Sequence, residues 1–204
     1  VPQDPEGLIE LLGGDESYAE RLDELFSMSS EQEEGASMDI TGLIGQYAHG
    51  NEPSHHTTYM YAYSGHPYKI ADKVRYINNE LYTDQPDGLS GNEDCGQMSA
   101  WYIFSSIGFY PVNPSNGGYV FGSPLFDEAL IKLPANKSFK VIAENNSDKN
   151  IYIQSVTLNG KKHNYSYITH KQIMDGGELK FVMGPKPNYD FGKEKKFRPA
   201  SIVY

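Results

Sequence analysis

The stretch that decides the fold is residues 96–121, GQMSAWYIFSSIGFYPVNPSNGGYVF, where the residue pattern changes from helical to extended. Residues 97–107 place large apolar side chains at helical spacing. Gly108 follows them, and glycine commonly ends helices because it adopts positive φ without steric strain. Beyond Pro111, residues 113–118 read as a Pro/Gly/Asn linker. The stretch therefore predicts a helical half before it and an extended half after it.

The chain before this stretch is predicted to be helical. Asp4 and Pro5 suit the N-cap and first position of a helix that ends at the Gly13-Gly14 pair. Asp15 is expected to cap a second helix. Further helices are predicted over residues 40–48, 53–65 and 67–81, and loops over 27–37 and 83–91. Short connections between successive helices favour antiparallel helix pairs.

The chain after the linker is predicted to form antiparallel β structure. Turn residues separate period-two or apolar runs. The pair Asn159-Gly160 suits a type I′ hairpin turn, in which both central residues need positive φ. The runs are residues 119–121, 129–133, 139–143, 151–158 and 179–182. The fold class is therefore α+β, with helical hairpins in residues 1–112 and antiparallel β structure in residues 113–204.

Composition excludes some functions. The 204 residues carry a formal net charge of −10, which argues against non-specific binding of nucleic acid. No apolar run approaches the roughly 18 residues of a membrane span, so none is expected. Cys95 is the single cysteine, which rules out an internal disulfide.

Two polar stretches are the candidate functional sites, HGNEPSHH at 49–56 and GNEDCGQ at 91–97. Two interpretations stay open: their carboxylates stabilise helix N-termini, or they form a reactive site. His55 and His56 would point about 100° apart on a helix, which argues against a zinc ion shared by the two. Oxygen ligands of Glu, Asp and Asn would instead suit Ca²⁺, a hard cation.

Carboxylates near tyrosine and tryptophan also suit carbohydrate chemistry, because aromatic rings stack on sugar faces. An inverting glycosidase needs an acid and a base about 6.5–9.5 Å apart, with a water between them. Glu52, Glu93 and Asp94 are the candidates, and residue pattern alone does not choose the pair.

The chain resembles glycoside hydrolase family 92. The resemblance rests on HGNEPSHH, on PDGLSGNEDCGQMSAWYIFSSIGFYPV at 86–112 and on YVFGSPLF at 119–126, and extends over nearly the whole chain. The family implies calcium-dependent, exo-acting, inverting α-mannosidases built from an N-terminal β-sandwich and an (α/α)6 barrel. The chain corresponds to the later barrel helices and the terminal β segment.

The resemblance assigns roles to individual residues. Asp94 matches the general base, with Glu93 beside it in the catalytic motif. Some members have an Asp where Asn92 stands here, and Asn92 cannot ionise. Asn51 and Glu52 match the calcium region. The residues expected to bind the sugar are His49, Glu52, His55, His56 and Trp101, the last either as pocket wall or as core.

The resemblance also implies what the chain needs from elsewhere. The family's general acid is a Glu in a motif resembling EGNAWQY, which does not occur in these residues. The chain is therefore expected to be inactive alone, and to need the N-terminal β-sandwich and earlier helices. An exposed helix face could also support a homodimer. The expected substrate is an α-1,2-mannoside of N-glycans or mannan, and the expected location is periplasmic or extracellular. The alternative is a non-catalytic module that binds carbohydrate or calcium.

Overall fold

The computed structural model describes residues 2–31 and 40–201, so the predicted loop at 27–37 lies outside the described residues from 32 onward. Helix α1 (Pro5–Leu11) begins as predicted, because the Asp4 side chain accepts a hydrogen bond from the Gly7 amide at 3.0 Å. Helix α2 (Asp15–Ser27) follows. Its N-cap is Gly14, so Asp15 is the first helical residue and not the cap.

The predicted helix over residues 40–48 is wrong. The structure has a hairpin there, with strands β1 (Leu43–Ile44) and β2 (Tyr47–Ala48). Gly42 and Gly45 both have φ of +61°, which a right-handed helix does not accommodate. The turn is held to α2 by a hydrogen bond from the Gln46 amide to the Leu25 carbonyl.

The segment predicted as one helix over 53–65 forms two 3₁₀ helices, Glu52–Ser54 and Thr57–Ala62. Helix α3 (Lys69–Glu80) lies within the helix predicted over 67–81 and buries Ile70, Val74 and Ile77. A 3₁₀ turn at Asp94–Gly96 leads into helix α4 (Gln97–Ile107), whose bounds are as predicted. Gly108 ends α4 with φ of 114°.

The second half contains strands and one short helix. In chain order these are β3 (Phe109–Asn113), β4 (Gly118–Phe121), β5 (Glu128–Lys132), β6 (Ser138–Glu144), β7 (Tyr152–Leu158), β8 (Lys161–Lys162), β9 (Tyr167–Thr169), α5 (His170–Asp175) and β10 (Gly177–Gly184). A three-stranded sheet has the order β3-β4-β9, and a five-stranded sheet has the order β5-β6-β10-β7-β8. Asn159 and Gly160 both have positive φ between β7 and β8, as the predicted turn requires.

The antiparallel prediction needs one correction. Among the described ladders of these two sheets, β10 pairs in parallel with β6, whereas the other pairs are antiparallel. The physical reason is that β6 and β7 run in opposite directions and β10 inserts between them. A strand in that position must be parallel to one of its neighbours.

The two halves share a continuous interior. One buried cluster joins α1, α2, α3 and the Thr57–Ala62 helix to β3 and β4. A second covers the five-stranded sheet and includes residues of β3, β4, β9 and α5, and Phe104 of α4 packs against both clusters. Strand β3 crosses residues 112 and 113, where the domain boundary is expected. No helix in the described part of the chain has the length and apolarity needed to cross a bilayer.

The C-terminal tail returns to the first helices. Arg198 donates hydrogen bonds to the Asp15 carboxylate at 2.9 Å and to the Tyr63 carbonyl at 3.3 Å. Ser201 donates to the Asp4 carboxylate at 2.9 Å, and its hydroxyl accepts from the Glu6 amide. The tail therefore fastens the β half to the start of the helical half.

Candidate functional site

The two polar stretches meet at a pair of glycines. A Cβ atom on Gly91 would lie 2.2 Å from the carbonyl oxygen of Gly50 and 2.5 Å from its Cα. A Cβ atom on Gly50 would lie 1.9 Å from Thr41 Oγ1. Only glycine permits this backbone-to-backbone contact. The fold therefore places the 49–56 loop directly against the 91–97 loop.

His49 lies fully buried behind this contact. Tyr82 donates its hydroxyl proton to the Met98 carbonyl at 3.0 Å, so it must accept from His49 Nε2 at 2.7 Å. His49 Nδ1 then accepts from the Tyr47 hydroxyl at 2.8 Å, which fixes the neutral tautomer with its proton on Nε2. Burial, with a smaller contribution from His55, lowers the pKa of His49 to about 3. Both ring nitrogens are engaged, so His49 holds neighbours in place and has no free nitrogen for a sugar.

His55 is also buried, and it links the two loops. Its Nε2 donates to the His49 carbonyl at 2.9 Å, so its Nδ1 accepts from Gln97 Nε2 at 3.1 Å. The same Gln97 nitrogen lies 2.9 Å from the Tyr110 hydroxyl. Burial is the main reason that the pKa of His55 is lowered. Because Gln97 opens α4, this bond fixes the first loop to the helix that follows the second.

Trp101 packs against the 49–56 loop. It is fully buried, and its Nε1 donates to the His55 carbonyl at 3.1 Å. Its ring meets the edge of the His49 ring at a centroid distance of 4.4 Å. Of the two roles expected for Trp101, this position fits the core role.

His56 and the calcium-region residues lie nearer the surface. His56 is partly exposed, and its pKa is lowered, mainly by burial. Glu52 begins the first 3₁₀ helix, and its Oε1 is buried without a hydrogen-bond partner in the described structure. Asn51 precedes it, exposed and in extended conformation. An unpaired buried carboxylate oxygen is costly, so this atom is a candidate ligand for a cation.

The oxygen atoms of these side chains suit a cation that prefers oxygen ligands, but they are too few to bind it by themselves. Within residues 2–31 and 40–201, no three His, Cys, Asp or Glu side chains group closely enough to hold a metal ion. Glu52 and Asn51 could supply two oxygens of the six to eight that Ca²⁺ takes. Backbone carbonyls, water or sugar hydroxyls would have to supply the others.

Asp94 and Glu93 have different surroundings despite their adjacency. Glu93 Oε1 accepts a hydrogen bond from the Ser99 amide at 3.1 Å, which satisfies a free amide in the first turn of α4. The Asp94 carboxylate is exposed and makes no hydrogen bond or ion pair with the described chain. Cys95 and Gly96, with φ of 55° and 77°, turn the chain sharply after it. The geometry leaves Asp94 free to act on a ligand, while Glu93 holds the helix.

Sequence reasoning missed the hydrogen-bonded partners of the histidines. These are Tyr47, Tyr82 and Gln97, and Gln97 is in turn bonded to Tyr110. The tyrosines lie within apolar stretches of the sequence, and their spacing does not indicate that their hydroxyl groups lie close together in the fold. Gln97 was visible in the second motif but had no assigned role.

A protein-family model and one curated relative match most of this chain. The model of the glycosyl hydrolase family 92 catalytic domain matches residues 1–185. An uncharacterized secreted glycosidase of Arthroderma benhamiae is 31% identical over 99% of this chain and 24% of its own length.

Solved structures of similar proteins give the same result. A family GH92 α-mannosidase from Bacteroides thetaiotaomicron, in complex with mannoimidazole, is 45% identical with a TM-score of 0.93 over 98% of this chain and 26% of its own. A family GH92 inverting mannosidase from the same species is 39% identical with a TM-score of 0.85, covering 98% of this chain and 28% of its own. The chain thus spans about a quarter of the length of these relatives. It belongs to glycoside hydrolase family 92.

Proposed function

We propose that this chain is the base-carrying part of an inverting, calcium-dependent exo-α-mannosidase that acts on α-1,2-mannosides of N-glycans or mannan. The observation that carries the proposal is the contact of the 49–56 and 91–97 loops at Gly50 and Gly91, which lie two residues before Glu52 and three residues before Asp94 in the sequence. Family membership supports it, since one structurally similar relative is named an α-mannosidase and another an inverting mannosidase.

Asp94 is the general base in this proposal. Its carboxylate is exposed and unpaired in the described chain, so it can accept a proton from the attacking water. Asn92 is an amide and cannot share that role. Glu93, which caps α4, fixes the backbone from which Asp94 projects. Inversion requires an acid on the opposite side of the sugar.

Glu52 and Asn51 would hold Ca²⁺. The unpartnered Glu52 Oε1 and the exposed Asn51 side chain supply oxygen donors of the kind that this cation prefers. When bound, the ion would supply positive charge for binding the hydroxyl oxygens of the sugar. His56, partly exposed beside these residues, is the histidine best placed to contact the sugar; His49 and His55 position the loop.

The 204-residue chain alone is proposed to be inactive. No segment of it resembles the family's acid motif, and general acid catalysis typically contributes about 10²–10⁴-fold to rate. The remaining parts of the active site would come from a β-sandwich and earlier helices of an (α/α)6 barrel. We propose that these cover α4 near Leu89 and Ile103, which are exposed here. A homodimer could cover the same surface, and light scattering of an Ile103→Asp chain would detect it as a loss of dimer.

The location proposed is the periplasm or the extracellular space. The supporting observation is that the fungal relative is named a secreted glycosidase. Fractionation of cells that produce the complete protein would test this, and recovery in the cytoplasm would contradict it.

Calorimetric titration with Ca²⁺ tests the site. The unmodified chain should bind Ca²⁺, Glu52→Ala should lose that binding, and mannose should then bind only with calcium present. Glu80→Ala, at the exposed end of α3, is the matched control. Equal calcium affinity in Glu52→Ala and Glu80→Ala would contradict the calcium assignment.

Asp94→Asn separates catalysis from binding alone. In a complete protein containing this chain, the substitution should abolish mannose release and leave calcium binding unchanged. Unchanged activity would contradict Asp94 as the base. Mannose release at enzyme-like rates by the 204-residue chain alone would contradict its proposed inactivity.

A further inference from the structure

We propose that the β half carries a second glycan-binding site, which we call the tail groove. It consists of two adjoining hollows of about 150 and 190 Å³ between the β7–β8 hairpin and the C-terminal tail. Both hollows are lined by Lys162, Asn164, Asp190 and Phe191. None of the residues lining them belongs to the 49–56 or 91–97 loops.

The walls of the tail groove are held by hydrogen bonds. Asn188 donates from Nδ2 to the Gln154 carbonyl at 2.8 Å. Its Oδ1 accepts from the amides of Asp190 at 3.1 Å and Phe191 at 3.3 Å. On the other side, the Ser166 amide donates to the Phe197 carbonyl at 2.9 Å. The backbone is thus fixed in advance, which reduces the entropy that a ligand must overcome.

The three polar side chains that line both hollows are unpaired. The Lys162 ammonium, the Asn164 amide and the Asp190 carboxylate make no hydrogen bond or ion pair with the described chain. By contrast, Glu194 at the far end of the groove is paired with Lys196 at 2.8 Å. The groove therefore has fixed walls and unused donors and acceptors.

This set of groups matches a neutral sugar. A carboxylate accepts hydroxyl protons, an ammonium donates, and an amide does both. The half-buried Phe191 lines both hollows and offers apolar surface for the C–H groups of a sugar ring. The free Lys162 and Asp190 balance each other in charge, which disfavours anionic or cationic ligands. Each hollow is below the roughly 300–1,000 Å³ of a drug-sized pocket, so each suits one monosaccharide unit.

The glycan's identity rests on the proposed function: a chain from an exo-α-mannosidase would meet α-mannans and N-glycans. If the tail groove binds an inner part of such a glycan, the concentration of the glycan's chain ends near the proposed mannosidase site rises. Binding at the tail groove requires no calcium, because its free polar groups complement hydroxyls directly.

Titration of the 204-residue chain with α-mannotriose in EDTA tests the site. Lys162→Ala and Asp190→Ala should each raise the dissociation constant about tenfold, the effect of losing 1.4 kcal/mol of binding. Lys161→Ala is the matched control, since neighbouring residues of a strand point to opposite faces and Lys161 lines neither hollow. These side chains are exposed, so thermal melting should be unchanged.

Equal dissociation constants in the Lys162→Ala and Lys161→Ala chains, or no binding in EDTA, would overturn the tail groove. Binding that needs calcium and is lost only in Glu52→Ala would overturn it while leaving the proposed mannosidase site standing. Binding at the groove by a complete protein without mannosidase activity would contradict only the proposed function.

Discussion

The ring of His49 shows how a single side chain sets the electrostatics of the candidate site. It joins Tyr47 to Tyr82 through its two nitrogens while carrying no charge. A neutral, buried imidazole costs less to desolvate than a charged one, which is why its pKa falls to about 3. At neutral pH the site therefore receives no positive charge from this residue.

A pH series of unfolding tests that ionisation state. The pKa of His49 is about 3 when folded, against a reference value of 6.5. Between these values the unfolded chain binds a proton that the folded chain does not, so stability is lost as pH falls through this window. His49→Gln should reduce the slope of unfolding free energy against pH by up to about 1.4 kcal/mol per unit. An unchanged slope between pH 4 and 6 would show that His49 is charged in the folded state.

The glycine contact gives a second prediction at this scale. Gly91→Ala should cost about 1–3 kcal/mol, because the new methyl group overlaps the backbone of Gly50. It should also weaken calcium binding by separating the loops. Gly118→Ala is the control, since its Cβ would meet only the Asn116 side chain, at 3.1 Å or more. Urea unfolding and calcium titration should therefore both distinguish the two variants; similar results would exclude a special contact.

At the scale of elements, α4 begins without a side-chain cap of its own. Its N-cap is Gly96, so the carboxylate of Glu93 takes the cap's role by accepting from the Ser99 amide. This contact gives Glu93 a structural task beside Asp94.

Two substitutions distinguish that task from catalysis. Glu93→Ala should lower stability by about 0.5–2 kcal/mol, as loss of a cap does. Glu93→Gln keeps an accepting oxygen, so it should retain most of the stability and activity of a complete protein. Chemical unfolding and mannose release are the measurements. Full stability with lost activity in Glu93→Gln would instead make the ionised carboxylate a participant in the reaction.

The sequence predicts elements well where a long periodic pattern has a clear stop. Helix α4 has apolar spacing over its whole length and Gly108 at its end, so both bounds are correct. The prediction fails at the β1–β2 hairpin, because strands of two residues are too short to show an alternating apolar and polar pattern. The parallel pairing of β10 with β6 depends on where β10 inserts, which no local pattern encodes. The loop contact at Gly50 and Gly91 is likewise a product of the whole fold.

At the scale of the whole molecule, the tail holds the two halves together through Arg198. Its guanidinium side chain is 13% exposed and bridges Asp15 to two backbone carbonyls, those of Tyr63 and Lys193. Charged hydrogen bonds in such a position stabilise more than exposed ion pairs do.

Removing Arg198 should therefore loosen the tail. Arg198→Ala should lower the free energy of unfolding by about 1.5–3 kcal/mol and expose the tail to proteases. Lys196→Ala is the control, because its pair with Glu194 is exposed on both sides and should contribute about 0–1 kcal/mol. Thermal unfolding and limited proteolysis measure both effects. Equal melting temperatures in the two variants would mean that other contacts hold the tail.

The tail is synthesised last, so its contacts with α1 can form only at the end of synthesis. The hydrogen bond from Ser201 to Asp4 spans 197 positions of the chain. At about 5–20 residues per second, the start of α1 leaves the ribosome roughly 10–40 s before its partner exists. During that interval α1 can pack against α2 and α3 but lacks its bonds to the tail, so its exposure to chaperones and proteases depends on the rate of translation. Slowing synthesis between the two ends should therefore lower the yield of folded chain without any change in its final stability.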